Sequence, residues 1–78
     1  SDLSCYRRSL EVGEANGCRS IAFPAISTGI YGYPKEKAAK AAVEAMKEYF
    51  AEHQESVIED VILVSFDAGT EQLYLELL

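Results

Sequence analysis

An α/β fold with parallel strands is the class the sequence predicts, in the order helix, strand, helix, strand, helix. Three observations carry it. Two short apolar runs, Ser20 to Ala25 and Val61 to Phe66, read as buried strands, since strands covered on both faces stay apolar instead of alternating. Between them lies the strongest amphipathic stretch of the chain, Pro34 to about Glu52. A helix joining two neighbouring strands implies parallel pairing and a right-handed crossover.

The first element is a helix over residues 2–16. Leu3, Tyr6 and Leu10 fall at helical spacing and form its apolar stripe. Ser1 or Asp2 can cap it, and Asn16-Gly17 is a stop signal, with Gly17 suited to a left-handed backbone. Gly13 weakens the helix by about 1 kcal/mol relative to alanine, a cost compatible with a close approach to a neighbour. Arg7 and Arg8 invite a phosphate-binding role, but a solvated face or an ion pair with Glu11 is the simpler reading.

Strand Ser20 to Ala25 follows, with Pro24 marking its carboxyl end, because proline removes a ladder donor. The next helix starts at Pro34, a residue suited to the first helical position. Ala39, Val43, Met46 and Phe50 make one apolar row and Ala38, Ala42, Ala45 and Tyr49 the adjoining one. The alanines suit close packing, and Glu36–Lys40 is an i,i+4 pair on the polar side. His53 to Glu59 is a polar connection in which His53 reads as a solvated helix end. After the second strand, Asp67-Ala68-Gly69 turns, Thr70 caps, and Glu71 to Leu78 is a short helix with Leu73, Tyr74 and Leu77 inward. Two parallel strands make a poor sheet alone, so the chain reads as a piece of a larger three-layer domain.

The chemistry concentrates between the first strand and the second helix. Ile26 to Tyr33 holds Ser27, Thr28, Gly29 and Gly32, and no Lys, Arg or His. Strand, glycine loop and helix N-terminus together are how α/β proteins build anion sites, with backbone N–H groups aimed at the phosphate. An anion here is held by amides and hydroxyls, with Lys35 or Lys37 in reach of the chain. Three or four charge-assisted hydrogen bonds, at about 1.5–3 kcal/mol each, suffice for a diphosphate. The same spacing also fits an ordinary tight connection in which glycine serves only the turn.

Composition narrows the partners. Net charge is −6, from 13 acidic and 7 basic residues, which disfavours nucleic acid and anionic membranes. No apolar run approaches the ~20 residues of a membrane span. The two cysteines, Cys5 and Cys18, fit no zinc spacing and read as free thiols of a reducing compartment, the cytoplasm by default. Neither a metal nor a cofactor is expected.

The segment FPAISTGIYGYP resembles the second ligand loop of the macrodomain family, the ADP-ribose-binding fold. CYRRSLEVGEANGCRSIAF is similar to the helix and strand that enter that loop. AAKAAVEAMKEYF and VILVSFDAGTEQLYLELL are similar to the family's next helix, last strand and last helix. The resemblance runs through nearly all 78 residues, but only with the C-terminal half of the family. Nothing matches its N-terminal strands, its adenine-recognising acidic residue or its first loop with paired asparagines. It implies that residues 1–78 are the C-terminal portion of one three-layer α/β/α macrodomain.

For the site, the resemblance implies that Ser27, Thr28, Gly29, Ile30 and Tyr31 supply amides to a diphosphate. Gly29 would admit the distal ribose, Tyr31 would pack on it, and Phe66 would lie against the adenine side. Tyr33 is a staple into the core, and Asp67 either contacts the nucleoside or caps a helix or turn. No nucleophile and base can be assembled, because His53 lies a helix length from Ser27, so the catalytic residues are unassigned. The implied partner is ADP-ribose or an ADP-ribosylated substrate. The implied function is hydrolysis of O-acyl-ADP-ribose or mono-ADP-ribosyl groups, or a non-catalytic reader of ADP-ribose, or a structural fragment. A missing N-terminal half, or self-association, is expected to complete the sheet.

Overall fold

The computed structural model describes residues 2–24, 34–65 and 67–78. Its elements are α1 (Asp2–Ala15), β1 (Ser20–Phe23), α2 (Lys35–Glu52), β2 (Asp60–Leu63) and α3 (Ala68–Leu77), the expected order. The strands pair in parallel with no offset, Ser20 opposite Asp60 and Phe23 opposite Leu63. One further bond, from the Val64 N–H to the Phe23 carbonyl at 3.2 Å, extends the pairing. Both strands are shorter than their apolar runs. Pro24 has no N–H to give to a ladder, and β2 has a partner only as far as β1 runs.

Gly17 ends α1 in the left-handed region, at φ 69°, as the Asn16-Gly17 pair predicts. The helix then turns back onto its strand. A Cβ on Gly13 would run into the tip of Ile21, so glycine lets this side chain pack directly against α1. Tyr6 reaches the strand from the same helix, its ring centroid 5.0 Å from that of Phe23.

The core gathers Leu10 from α1, Phe23 from β1, Ala39, Ala42, Val43 and Tyr49 from α2, Ile58 before β2, and Tyr74 from α3. Both alanine-bearing rows of α2 face inward, while Met46 and Phe50 sit at their margin, half-buried. Burying a large apolar side chain contributes about 1.5–3 kcal/mol, so Phe23, Tyr49 and Leu10, the largest fully buried side chains, anchor the helical layer.

Ile21, Phe23, Val61 and Leu63 all turn toward this core, and the three helices therefore share one face of the sheet. The other face carries Ser20, Ala22, Asp60 and Ile62, all exposed, with Ile62 53% accessible. The strands were expected to be covered on both faces; in the described residues only one is. What the apolar runs encode is thus two apolar faces, of which this chain's helices cover one.

Two helix starts also differ from expectation. Pro34 is the cap of α2 and not its first residue: its ψ of 129° is extended, and its carbonyl receives the N–H of Lys37 and Ala38. At α3 the cap is Asp67 and not Thr70. Aspartate accepts well at a helix start, and here Oδ1 takes the Thr70 N–H at 2.7 Å.

Candidate functional site

Because the strands are parallel and flush, both end on the same side of the sheet, where α/β folds take their ligands. In sequence, residues 25–33 come shortly after β1, and Phe66 comes three positions after Leu63. The six residues assigned to ligand binding, Ser27, Thr28, Gly29, Ile30, Tyr31 and Phe66, lie outside the described residues, as does Tyr33. Their flanks are described, and the two flanks meet.

Lys35, the first residue of α2, donates from Nζ to Asp67 Oδ2 at 2.8 Å. Asp67 divides its carboxylate, one oxygen capping α3 and the other receiving the lysine. The Lys35 ammonium, with the Thr70 N–H behind it, draws the Asp67 carboxyl down to about 2. Thr70 beneath the cap is buried. Of the two lysines weighed for the anion, Lys35 is therefore committed to a carboxylate. Sequence reasoning treated Asp67 as a cap or a nucleoside contact; it is the cap, and the ion pair was missed. An Asp three residues before Thr70 signals the first role, whereas nothing local signals a lysine 32 positions away.

A second polar cluster lies at the opposite end of α2, about 27 Å away at 1.5 Å per residue. Glu14 accepts from the Tyr49 hydroxyl at 2.8 Å, the Val57 N–H at 2.9 Å and the Ser56 hydroxyl. These donors, Ser56 first, lower the Glu14 carboxyl below its ordinary value. Burial, with Glu14 beside it, pushes the Tyr49 hydroxyl up to about 12. His53 stacks on Tyr49 with ring centroids 4.1 Å apart, its Nδ1 2.9 Å from the Tyr49 carbonyl. The sequence placed His53 as a solvated end; it is exposed but lies flat against this ring.

A hollow of about 550 Å³ opens at this end and is lined by Glu14, Glu52, His53, Glu55 and Ser56 among others. Its three carboxylates, one of them paired with Arg7, disfavour an anionic ligand. Arg7 pairs with Glu52 and with Glu11 (3.7 Å), which settles it as an ion-pair residue of α1, while Arg8 is exposed. Among the described residues no group of His, Cys, Asp or Glu is placed to hold a metal, and no helix is long and apolar enough to cross a membrane. Cys5 and Cys18 are free thiols, as expected.

Comparison with known proteins agrees with the topology. A macro domain-containing protein of Mesorhizobium japonicum is 53% identical over 72 residues, 92% of this chain and 40% of its own length. The O-acetyl-ADP-ribose deacetylase of Klebsiella pneumoniae is 48% identical over 73 residues, and that of Salmonella typhimurium 47% over 73. The chain spans about two fifths of the length of these relatives. The sequence model of the Macro domain matches residues 3–42, which run from α1 through β1 into α2 and make up just over half of the 78 residues. With that match and this helix–strand order, the chain belongs to the macro domain family.

Proposed function

We propose that this chain forms the diphosphate- and distal-ribose-binding side of a macro domain that binds ADP-ribose or a derivative of it. Residues 1–78 are its C-terminal portion, and the protein hydrolyses O-acyl-ADP-ribose or mono-ADP-ribosyl groups. The observation that carries the reading is near-complete coverage by deacetylase relatives. An alignment over 73 of 78 residues takes in the segment of residues 25–33. Main-chain amides of Ser27, Thr28, Gly29, Ile30 and Tyr31 hold the diphosphate, Tyr31 packs on the distal ribose, and Phe66 lies on the adenine side. Hydrolysis uses a water held between the ligand's own phosphate and this loop.

A neutral loop that binds through diphosphate and ribose should favour ADP-ribose over AMP, and calorimetry on the protein carrying this chain tests that directly. Equal affinity for the two removes the proposal. Gly29→Glu should abolish binding, since it sets a carboxylate and bulk where the anion sits. Tyr31→Ala should cost about 1–2 kcal/mol through lost packing. A second reading, a reader without turnover, is supported by the 53%-identical relative, whose name gives the macro domain and no activity. Release of acetate from O-acetyl-ADP-ribose separates the two.

A further inference from the structure

Among the described residues, the Tyr74 hydroxyl is the sole buried side-chain oxygen or nitrogen without a hydrogen-bond partner. Buried hydroxyls in folded proteins are nearly always bonded, and Tyr74 is only 4% exposed. The residue lines a hollow of about 230 Å³, with Val61 and Leu63 of β2 and Leu75 and Leu78 among its neighbours there. No residue of β1 or α2 lines it, so it opens on the side of β2 away from β1. Leu75 and Leu78 are each 62% exposed. The main chain of β2 is unpaired on that side too. Asp60 and Val64 give their N–H groups to Arg19 and Phe23, and the residues that bond one neighbour alternate along a parallel strand. Val61 and Leu63 therefore point theirs away from β1, where no described strand receives them.

We propose that this hollow is an internal interface of the macro domain, in which an extended segment from the remainder of the domain carries the acceptor for the Tyr74 hydroxyl. Length names the occupant: the chain spans about two fifths of its relatives, so in a protein of their size most of the domain lies outside these residues. An extended segment also meets the outward N–H groups of Val61 and Leu63 at strand spacing, and it covers the two leucines. The hydroxyl is then a polar anchor between the two portions of the domain. The inference rests on residues 1–78 being one portion of a macro domain, and not on which ligand that domain binds.

The test uses the protein carrying this chain. Tyr74→Phe should lower its melting temperature by about 2–4 °C, whereas removing a hydroxyl without a partner gives no change or a rise. Leu75→Lys, harmless on an open helix face, should lower it by about 4 °C or more. Hydrogen exchange followed by NMR should find the Val61 and Leu63 amides as protected as that of Ile62. A melting temperature that stays or rises in Tyr74→Phe overturns the inference. So does a loss in Tyr74→Phe alone, with Leu75→Lys unchanged and the Val61 and Leu63 amides exchanging freely, since that leaves the hydroxyl on a water. Losses and protection that follow dimer formation, read by sedimentation over a concentration series, assign the hollow to a second copy and overturn it as well. Binding of ADP-ribose is measured separately: its failure removes the ligand reading and leaves this inference to the melts and the exchange.

Discussion

Glu14 joins three parts of the chain through one carboxylate: its own helix, Tyr49 of α2, and the turn at Ser56 and Val57 that leads into β2. Its lowered pKa has a defined pH consequence. A carboxyl depressed in the folded state contributes stability above its ordinary value of 4.5, and that contribution fades as pH falls. Glu52, lowered chiefly by Arg7, behaves likewise, and Asp67 extends the loss down to about pH 2. Glu14→Gln should therefore lower the melting temperature at pH 7, by an amount that shrinks as pH falls below 4.5, which a pH series of thermal melts reads out. Tyr49 gives the opposite edge. With its hydroxyl raised to about 12, the unfolded chain ionises first, and stability drops as pH rises beyond 10. The two core tyrosines also differ from each other. Tyr49→Phe removes a hydrogen bond and should cost about 0.5–1.5 kcal/mol. The Tyr74 hydroxyl is buried with no hydrogen-bond partner among the described residues, so in the 78-residue chain alone Tyr74→Phe should be neutral or stabilising in the same denaturant titration.

Helices α1 and α2 owe their packing to residues without side-chain bulk. Ala42 has no exposed surface, and Ala42→Leu should lower stability by about 1–3 kcal/mol through overpacking. Gly13→Ala sets two effects against each other. Alanine gains about 1 kcal/mol in the helix, while Ile21 must leave its rotamer at a cost of about 0.5–1.5 kcal/mol. The net change should be small, and it should turn more favourable when Ile21→Val removes the Cδ1 that the new methyl meets; a double-mutant cycle of unfolding free energies measures the coupling. These elements were legible because each has a local cause: alanine rows at helical spacing, Asn16-Gly17 as a stop, Pro24 as a strand end. Capping was less legible at Asp67 and Thr70, since both residue types accept at a helix start and only geometry chooses between them. Least legible were the contacts of Glu14 and Lys35, whose partners lie 32 to 43 positions away. The loop at Ser27 to Tyr31 was visible as a composition, strand then glycines then proline, and its ligand class came from family resemblance and not from any spacing.

At the scale of the whole molecule, one face of the sheet is left uncovered by the described residues, and Ile62 is half exposed on it. For so short a chain, burial barely balances the entropy of ordering, at about 1.5 kcal/mol per residue, and an open parallel edge invites another chain. The 78-residue chain on its own is expected to self-associate and to bind ADP-ribose weakly or not at all. Sedimentation and thermal melting with and without ADP-ribose test this; a cooperatively folding monomer of micromolar affinity would contradict it. The acidic hollow at the far end of α2 has a kinetic consequence. Glu14, Glu52 and Glu55 crowd one pole of a chain of net charge −6, the pole opposite the carboxyl ends of the strands. An incoming dianion is repelled from that pole. Added salt, with a Debye length near 8 Å at 0.15 M, screens the repulsion first at long range. In the protein carrying this chain, Glu55→Lys should thus speed the association of ADP-ribose at low ionic strength in stopped-flow measurements, and added salt should narrow the difference from wild type.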